Sequence, residues 1–374
     1  MTDPEMTAMA YLSRVVEPPC PELAALVAEV GHVEAADRVK RRTLDHRLLG
    51  LTEARHEIDC AAEDLAVLEG MGGRLVTAAD AEWPLLAFTA FAGVDTQKRP
   101  EAHPPLALWV VGPTRLDEVA DRAAAIVGTR AATAYGQHVA AELAAGLAER
   151  DAAVVSGGAY GIDGAAHRAA LAADGLTVAV LAGGIDVPYP SGHGGLFRRI
   201  GEQGLLVTEY PPGLRPQRHR FLTRNRLVAA LSGATVVVEA GARSGAANTA
   251  AWAGALGRGV SAVPGPVTSS ASVGCHVLLR SGAMAVTRAD EVVELFGRAG
   301  ELAAEEERPR SLFDDLTEHE QRVHDALPAR GARTIDEIAV ASGLPPKQVL
   351  GPLSMLEIAG LVVCQGGRWK LALR

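Results

Sequence analysis

The chain has 374 residues, of which 48% are hydrophobic and 22% are charged, and its formal net charge is −9. This length predicts roughly two or three domains, and the composition excludes a disordered or fibrous protein. No stretch approaches about 18 uninterrupted apolar residues, and acidic residues stand where a secretory signal would be basic, so we expect a cytoplasmic protein without membrane contact.

Residues 1–75 predict a small helical domain, since apolar residues recur at helical spacing in residues 21–39 and 58–68. A basic run at residues 38–42 is interpreted as a solvated helix end, with contact to phosphate as the alternative. Residues 76–112 are rich in turns and end in an apolar run. We interpret them as a lead-in to the next domain.

From residue 123 the sequence alternates short apolar runs with helical stretches. The runs cover residues 124–127, 153–155, 177–181, 205–207, 235–238 and 260–263. Apolar strands that alternate with helices are typical of a parallel sheet covered on both faces. The sequence therefore predicts a Rossmann-like, doubly wound, mostly parallel α/β domain, which with its lead-in covers residues 76–296.

Residues 297–312 predict an exposed linker, because they hold few apolar residues and three consecutive glutamates. Residues 313–374 then predict a winged helix. Capping patterns at residues 317–320 and 334–337 each begin a helix, and a third helix opens at the Pro345-Pro346 pair. Two short strands around a glycine turn follow the third helix.

The four cysteines, Cys20, Cys60, Cys275 and Cys364, are scattered singly. None is spaced from another cysteine or a histidine as the ligands of a tetrahedral metal site are. We therefore predict no metal, no disulfide and no cofactor. The acidic net charge predicts that any nucleic-acid site is a local patch.

The loop after the first strand of the α/β domain is a predicted anion site. Ligands of an open parallel sheet bind at the carboxyl ends of its strands, and this loop carries Gly128, Thr129 and Arg130. A helix begins nearby at Tyr135-Gly136, and a helix N-terminus combines roughly half a positive charge with unpaired N–H donors. We expect an anion to bind there.

Two further strand-end loops supply candidate site residues. Glycines in the loop after the second strand would allow a ligand to approach the backbone closely, and the loop after the fifth strand adds hydroxyl and backbone donors. These candidates are Ser156, Gly157, Gly158, Tyr160, Gly161, Ser244 and Gly245.

Residues 215–226 form a basic segment that contains five arginines, one histidine and no acidic residue. A solvated face is the ordinary interpretation of such a run, but its place beside glycine-rich strand ends favours a phosphate-binding strip. The arginines are Arg215, Arg218, Arg220, Arg224 and Arg226.

Aromatic residues are scarce, at 4% of the chain. Tyr160, Tyr189, Tyr210 and Phe221 nevertheless fall in or near the strand-end loops, where each is either a stacking platform for a base or a packing residue. The scarcity predicts recognition mainly through the sugar-phosphate backbone.

Taken together, these loops strongly resemble the DNA-processing protein A family (DprA, also called Smf). The similar motifs occur in family order between residues 127 and 266, which is far more specific than one glycine-rich loop. The matching motifs are Val127-Gly128-Thr129-Arg130, the residues 156–163 with Ala166-His167, Tyr189-Pro190, residues 208–213, Phe221 with Arg224-Asn225-Arg226, Glu239-Ala240 with Ser244-Gly245, and Val263-Pro264-Gly265-Pro266.

The resemblance implies a protein that binds and protects single-stranded DNA and loads the RecA recombinase onto it during natural transformation. It implies that Arg130 grips a phosphate, that residues 156–161 line the pocket, and that Arg224, Asn225 and Arg226 face the DNA or brace its cleft. It also implies a homodimer formed through the α/β domain. The chain departs from the family pattern at two positions. Tyr160 stands where many members carry a basic residue, and Ser191 stands where some carry a lysine.

An enzyme is the main alternative, namely a nucleotide-hydrolysing phosphoribohydrolase with a similar topology. Its PGGxGTxxE signature is not matched at residues 239–245, and a dehydrogenase would need GxGxxG after the first strand. Asp163 and His167 could form an acid/base pair, but we interpret them as a helix cap and an interior histidine. Glu239 is interpreted as a carboxylate that orders the cleft. We predict no catalytic residues.

The winged helix leaves two functions open. Lys347 and Gln348 at the start of its third helix suit duplex DNA. Because Glu337 and Glu357 offset Arg368 and Lys370, a protein contact or a regulatory role is an equal alternative.

Overall fold

The structure is a computed structural model that describes residues 3–242, 244–298, 300–303 and 316–372. The chain folds into two compact units, residues 1–303 and residues 304–374. In these described ranges, no helix is long and apolar enough to cross a bilayer. The predicted division of the first unit near residue 75 remains a prediction.

Five helices of the described chain precede the sheet. The helical spacing of residues 21–39 is realised as two helices rather than one, because Gly31 between them adopts a φ of 82°. Asp45 begins the fourth helix by accepting hydrogen bonds from the N–H groups of Arg47 and Leu48. The five helices are α1 Asp3–Val15, α2 Pro21–Val30, α3 His32–Arg41, α4 His46–Thr52 and α5 Ala61–Gly70.

Nine strands, counted over the described part of the first unit, form one sheet. Their spatial order is β1-β2-β6-β5-β4-β3-β7-β8-β9. The strands are β1 Gly73–Thr77, β2 Ala107–Val111, β3 Ala123–Val127, β4 Ala153–Ser156, β5 Thr177–Val180, β6 Leu205–Thr208, β7 Ala234–Val237, β8 Gly259–Ala262 and β9 Met284–Ala285.

Strands β3 to β9 run parallel, and β1 and β2 add an antiparallel edge next to β6. The predicted mostly parallel sheet is confirmed, and the six apolar runs become strands β3 to β8. The run at the end of the lead-in is also a strand, β2, and every one of its residues is buried.

Helices cover both faces of the sheet. They are α6 Leu85–Thr89, α7 Leu116–Asp121, α8 Ala134–Ala148, α9 Ile162–Ala172, α10 Gly194–Gln203, α11 Arg218–Ala230, α12 Gly245–Ala255, α13 Val273–Arg280 and α14 Ala289–Val293. Ala123, Ala125 and Val127 of β3 share a core with residues of α11 and α12. Ala124 and Ile126 pack with α8 and α9 on the other face, as strand alternation requires.

The N-terminal helices also cover the sheet. Met9 and Leu12 of α1 share one buried cluster with Trp109 of β2 and Leu206 of β6. These helices and the edge of the sheet therefore have a common hydrophobic core.

The chain reverses its direction of travel across the sheet between β3 and β7. From β3, the successive strands β4, β5 and β6 are added towards one edge of the sheet, and β7, β8 and β9 are added on the other side of β3. In an open α/β sheet, such a switch point opens a crevice at the carboxyl ends of the strands. The loops after β3 and β7 flank this crevice.

The second unit is a winged helix, as predicted. Its elements are α15 Glu318–Asp325, α16 Ile335–Ser342, α17 Pro346–Ile358, β10 Val362–Gln365 and β11 Arg368–Leu371. Thr317 with Glu320 and Thr334 with Glu337 form the two predicted capping boxes. Val323, Ile338, Leu353 and Trp369 belong to a separate hydrophobic core of this unit.

Candidate functional site

The loops at the switch point are joined by backbone hydrogen bonds. The N–H of Thr129, after β3, donates to the carbonyl of Glu239, after β7, at 2.7 Å. The N–H of Ile162, at the start of α9, donates to the carbonyl of Thr129 at 3.2 Å. Three strand-end loops are thereby fixed relative to one another.

The predicted anion position at the N-terminus of α8 is occupied by a side chain of the protein itself. One carboxylate oxygen of buried Glu239 accepts from the N–H of Thr133 at 2.9 Å, and the other accepts from its hydroxyl at 2.6 Å. A Cβ on Gly136 would lie 2.2 Å from the same carboxylate. The expectation of an external anion at this helix is therefore wrong, whereas the interpretation of Glu239 as an ordering carboxylate is confirmed.

The glycine-rich loop after β4 is built for contacts within the protein. A Cβ on Gly157 would lie 2.4 Å from the guanidinium of Arg224, and a Cβ on Gly158 would lie 2.5 Å from the ring of Phe197. Gly161 has a φ of 77°, and a Cβ there would lie 2.3 Å from the carbonyl oxygen of Thr129. These glycines therefore admit neighbouring protein groups, and Gly157 also lines a small surface depression. The predicted close approach of a ligand to this loop remains a prediction.

Two polar residues of this loop region also have structural partners. Ser156 is fully buried and donates its hydroxyl to the carbonyl of Ile126 at 2.6 Å, so it does not line an open pocket. The carboxylate of Asp163 accepts from the N–H groups of Gly157 and Ala159 at 3.2 and 3.3 Å. It shapes the loop rather than capping α9.

Two of the five arginines are buried and paired with carboxylates, which corrects the prediction of a strip of unpaired cations. Arg226 is fully buried and lies 2.6 Å from Glu209. Arg220, on the same helix α11, lies 2.6 Å from Glu17 of the segment after α1. Neither guanidinium is available to a phosphate, because each is buried and paired with a carboxylate.

Arg224 and Asn225 brace the crevice from beneath. Arg224 is buried and donates to the carbonyl oxygens of Gly157, at 2.7 Å, and Val180. Burial lowers the pKa of Arg224 to about 10, and the nearby positive charge of Arg130 acts in the same direction. The Asn225 amide donates to Asn248 Oδ1 at 3.1 Å on α12. The family resemblance implied that Arg224 and Asn225 either face the DNA or brace its cleft, and these contacts match the second role.

Ser244 and Gly245 form the start of α12. The Ser244 hydroxyl accepts from the N–H of Ala247 at 3.2 Å and caps the helix. Gly245 is exposed, and its carbonyl accepts from the Asn225 amide at 3.4 Å. The start of α12 therefore contacts the crevice through Asn225. The Ser244 hydroxyl is used to cap the helix.

One cation and three rings remain at the solvent side of the crevice, and we call Arg130, Tyr160, Tyr189 and Phe221 the rim cluster. The Arg130 guanidinium lies 5.1 Å from the centroid of the Phe221 ring, and the Tyr189 ring lies 5.3 Å from it. Arg130 is exposed, and Tyr160 and Tyr189 expose 47% and 46% of their surface. These residues border a depression of about 40 Å³.

The two positions that depart from the family pattern, Tyr160 and Ser191, lie close together. The Tyr160 ring packs edge-on against His193 at 4.7 Å, and a Cβ on Gly192 would lie 2.4 Å from its hydroxyl. Tyr160 thus lies against the turn that begins at Ser191. Both basic residues that this chain lacks relative to the family pattern would therefore lie in the same small region of the surface.

Two further arginines of the basic segment are exposed. Arg218 begins α11, one turn before Phe221, and Arg215 precedes it. Within the described residues neither Arg215 nor Arg218 forms a salt bridge, and neither does Arg130. Tyr210, the fourth aromatic candidate, is buried beneath Arg220 and is a packing residue.

The suggested acid/base pair lies in the interior. Burial raises the pKa of Asp163, while the nearby Arg224 opposes the shift. His167 is fully buried, and burial together with the charges of His193, Arg224 and Arg168 lowers its pKa to about 3. Both side chains are inaccessible to a substrate.

Other candidate sites lack suitable chemistry. An apolar cavity of about 950 Å³ lies between α2 and residues 77–106, and no Asp, Glu, Lys or Arg among the described residues lines it. Across the described part of the chain, no group of three or more His, Cys, Asp or Glu side chains could hold a metal ion.

Comparison with known protein families gives two matches. The family described as DNA recombination-mediator protein A matches residues 74–297. The DprA winged helix domain matches residues 306–368. A curated relative from Mycobacterium tuberculosis, named as a DNA processing protein DprA, is 68% identical over 371 residues, covering 99% of this chain and 95% of the relative.

Two solved structures are similar to this chain. DNA processing protein A (DprA) from Streptococcus pneumoniae is 29% identical with a TM-score of 0.63, covering 80% of this chain and 99% of that one. The other structure concerns the unique single-stranded DNA binding mode of DNA processing protein A from Helicobacter pylori. It is 28% identical with a TM-score of 0.50, covering 59% of this chain and 94% of that one.

Proposed function

Because the chain belongs to the DNA recombination-mediator protein A family, we propose that it binds single-stranded DNA along the rim cluster. The strand would pass over Arg130 and the exposed arginines of the basic segment, with its phosphates towards the guanidinium groups. Its bases would stack on the rings of Tyr160 and Tyr189. Binding of this kind has little sequence preference, because every base offers a ring face.

The observation that carries this proposal is the position of Arg130. It is an exposed cation at the switch-point crevice, it lies over an aromatic ring, and no salt bridge within the described residues neutralises it. A cation beside stacking platforms is the arrangement that single-strand binding uses. The single-stranded DNA binding of the similar Helicobacter pylori protein supports the same assignment.

Family membership supports a more specific proposal. We propose that the chain protects incoming single-stranded DNA in the cytoplasm and loads the RecA recombinase onto it in natural transformation and DNA recombination. We also propose a homodimer through the α/β unit. The role is one of binding, without a catalytic step.

The proposal is tested by titrating the full chain with a fluorescent oligonucleotide, either single-stranded or annealed to its complement. We expect tighter binding of the single strand and a steep loss of affinity with rising salt, since phosphate contacts release counterions. A preference for the duplex, or an affinity independent of salt, would contradict the proposal.

The hydrolase alternative is tested separately with nucleoside monophosphates. We expect no free base to accumulate above a control without protein, because the interior position of Asp163 and His167 keeps both from a substrate. Steady release of base would favour the enzyme.

A further inference from the structure

The third helix of the winged helix, α17, carries an apolar outer face. Val349, Leu353 and Leu356 of this helix are buried in the core of the unit. On the opposite side, Leu350 is 48% exposed, Met355 54% and Ile358 81%. Exposed apolar side chains at helical spacing are typical of a surface that contacts another helix.

This face is poorly suited to duplex DNA. A recognition helix in the major groove reads base edges with polar and basic side chains. On α17 such groups are confined to Lys347 and Gln348 in the first turn, and the last turn carries Glu357, which a phosphate would repel. The rest of the face is apolar or small.

An exposed glycine in the middle of α17 also points to a contact. Gly351 destabilises a helix relative to alanine, and a Cβ at this position would meet no described atom within 4 Å. Packing inside the unit therefore does not require the glycine. Ser354, one turn further, is also small and exposed, so two helices could approach closely here.

We propose that α17 pairs antiparallel with α17 of a second copy of the chain about a two-fold axis. With the axis between Pro352 and Leu353, Gly351 faces Ser354 of the second copy. Lys347 then lies next to Glu357 of the second copy, and the same contact repeats at the other end. Leu350 of one copy faces Met355 of the other and fills the contact between these ends, and Ile358 packs against the aliphatic part of Lys347 of the second copy.

The charges on α17 favour a second copy over an unrelated partner. Lys347 and Glu357 stand ten residues apart, about 15 Å along the helix, so antiparallel pairing brings unlike charges together at both ends. Among the residues that the structure describes, neither has an ion-pair partner within its own chain. One helix face is smaller than the roughly 800 Å² per partner of a stable interface, so the association is weak and depends on concentration.

Sedimentation velocity of the full chain over a wide range of concentrations measures association through α17 as a step beyond the proposed homodimer of the α/β unit. Lys347→Glu and Glu357→Lys should each weaken association by about tenfold, because each creates like-charge contacts at both ends of the pair. An equimolar mixture of the two variants should restore association, since the opposite charges then meet between unlike chains.

Two further variants separate this pairing from other effects. Arg330→Glu makes the same change of charge at an exposed position of the same unit outside α17, and it should leave association unchanged. Gly351→Gln should weaken association while raising the melting temperature, because it fills the contact but improves the helix. Single variants that associate like the natural chain, or a mixture that fails to restore association, would overturn the proposal.

Discussion

The arginines near the crevice differ in what their guanidinium groups contact, and this difference decides their roles. Arg226 and Arg220 are buried against Glu209 and Glu17, and Arg224 is buried against backbone carbonyls. A buried cation without such partners would be strongly destabilising. Only a solvent-facing group such as Arg130 can exchange water for a phosphate.

His167 provides a residue-scale prediction about pH. The Thr177 hydroxyl donates to the carbonyl of Val154 at 2.8 Å, so it accepts from Nδ1–H of His167 at 2.7 Å. Nε2 has no partner among the described residues, and protonation there would place a charge in the core. With the folded pKa at about 3 and the unfolded pKa at 6.5, the unfolded chain binds a proton first as the pH falls.

The neutral His167 therefore adds stability above pH 6.5 that is lost progressively as the pH falls towards 3. Between pH 7 and pH 5 we expect about 2 kcal/mol of the free energy of unfolding to be lost through this residue. His167→Gln should flatten the pH dependence by this amount in urea denaturation. An equal pH dependence of both proteins would show that His167 is accessible to protons in the folded state.

At the scale of elements, the loops after β3 and β4 hold each other in place. Gly161→Ala would force a Cβ against the carbonyl oxygens of Thr129 and Arg130, at 2.3 and 2.6 Å, in a backbone conformation that favours glycine. We expect the free energy of unfolding to fall by about 2 kcal/mol or more. Affinity for single-stranded DNA should fall as well, because Arg130 is displaced.

Gly50→Ala is the matched control for this change. Gly50 lies in α4, and a Cβ there meets nothing within 4 Å in the described part of the chain. This variant should gain about 0.5–1 kcal/mol in the free energy of unfolding and keep its DNA affinity. Unchanged stability of Gly161→Ala would mean that the two loops are not interlocked.

The helices and strands that were predicted correctly are those whose sequence signals are local. Strands β3 to β8 and the capping boxes of α15 and α16 were predictable because their signals lie within a few residues. The strand β2 was not, since its place beside β1 and β6 depends on distant pairing. The partner of Arg220 was missed for the same reason, as Glu17 is 203 residues away in the chain. The sequence can identify residues that follow a strand as candidates for a site, but it cannot show whether their side chains are buried.

At the scale of the whole molecule, the proposed site lies within one of two compact units. The rim cluster belongs to the first unit, which ends at residue 303. A chain truncated after residue 303 should therefore bind a short oligonucleotide, one that spans a single site, within about twofold of the full chain at equal salt. Fluorescence anisotropy measures this affinity, and a large loss on truncation would mean that the winged helix contributes to the site.

The chain has a net charge of −9, so the contribution of one exposed arginine to DNA binding can be measured directly. In an acidic chain, we expect the phosphate contacts to come from a local group of exposed, unpaired cations, which we place at the rim. Arg130→Ala should then weaken single-strand binding about tenfold and reduce the slope of log K against log salt by about 0.7. Arg41→Ala, at an exposed arginine of α3, should change neither. Equal salt slopes for the natural chain and Arg130→Ala would contradict the assignment of the DNA site to this rim.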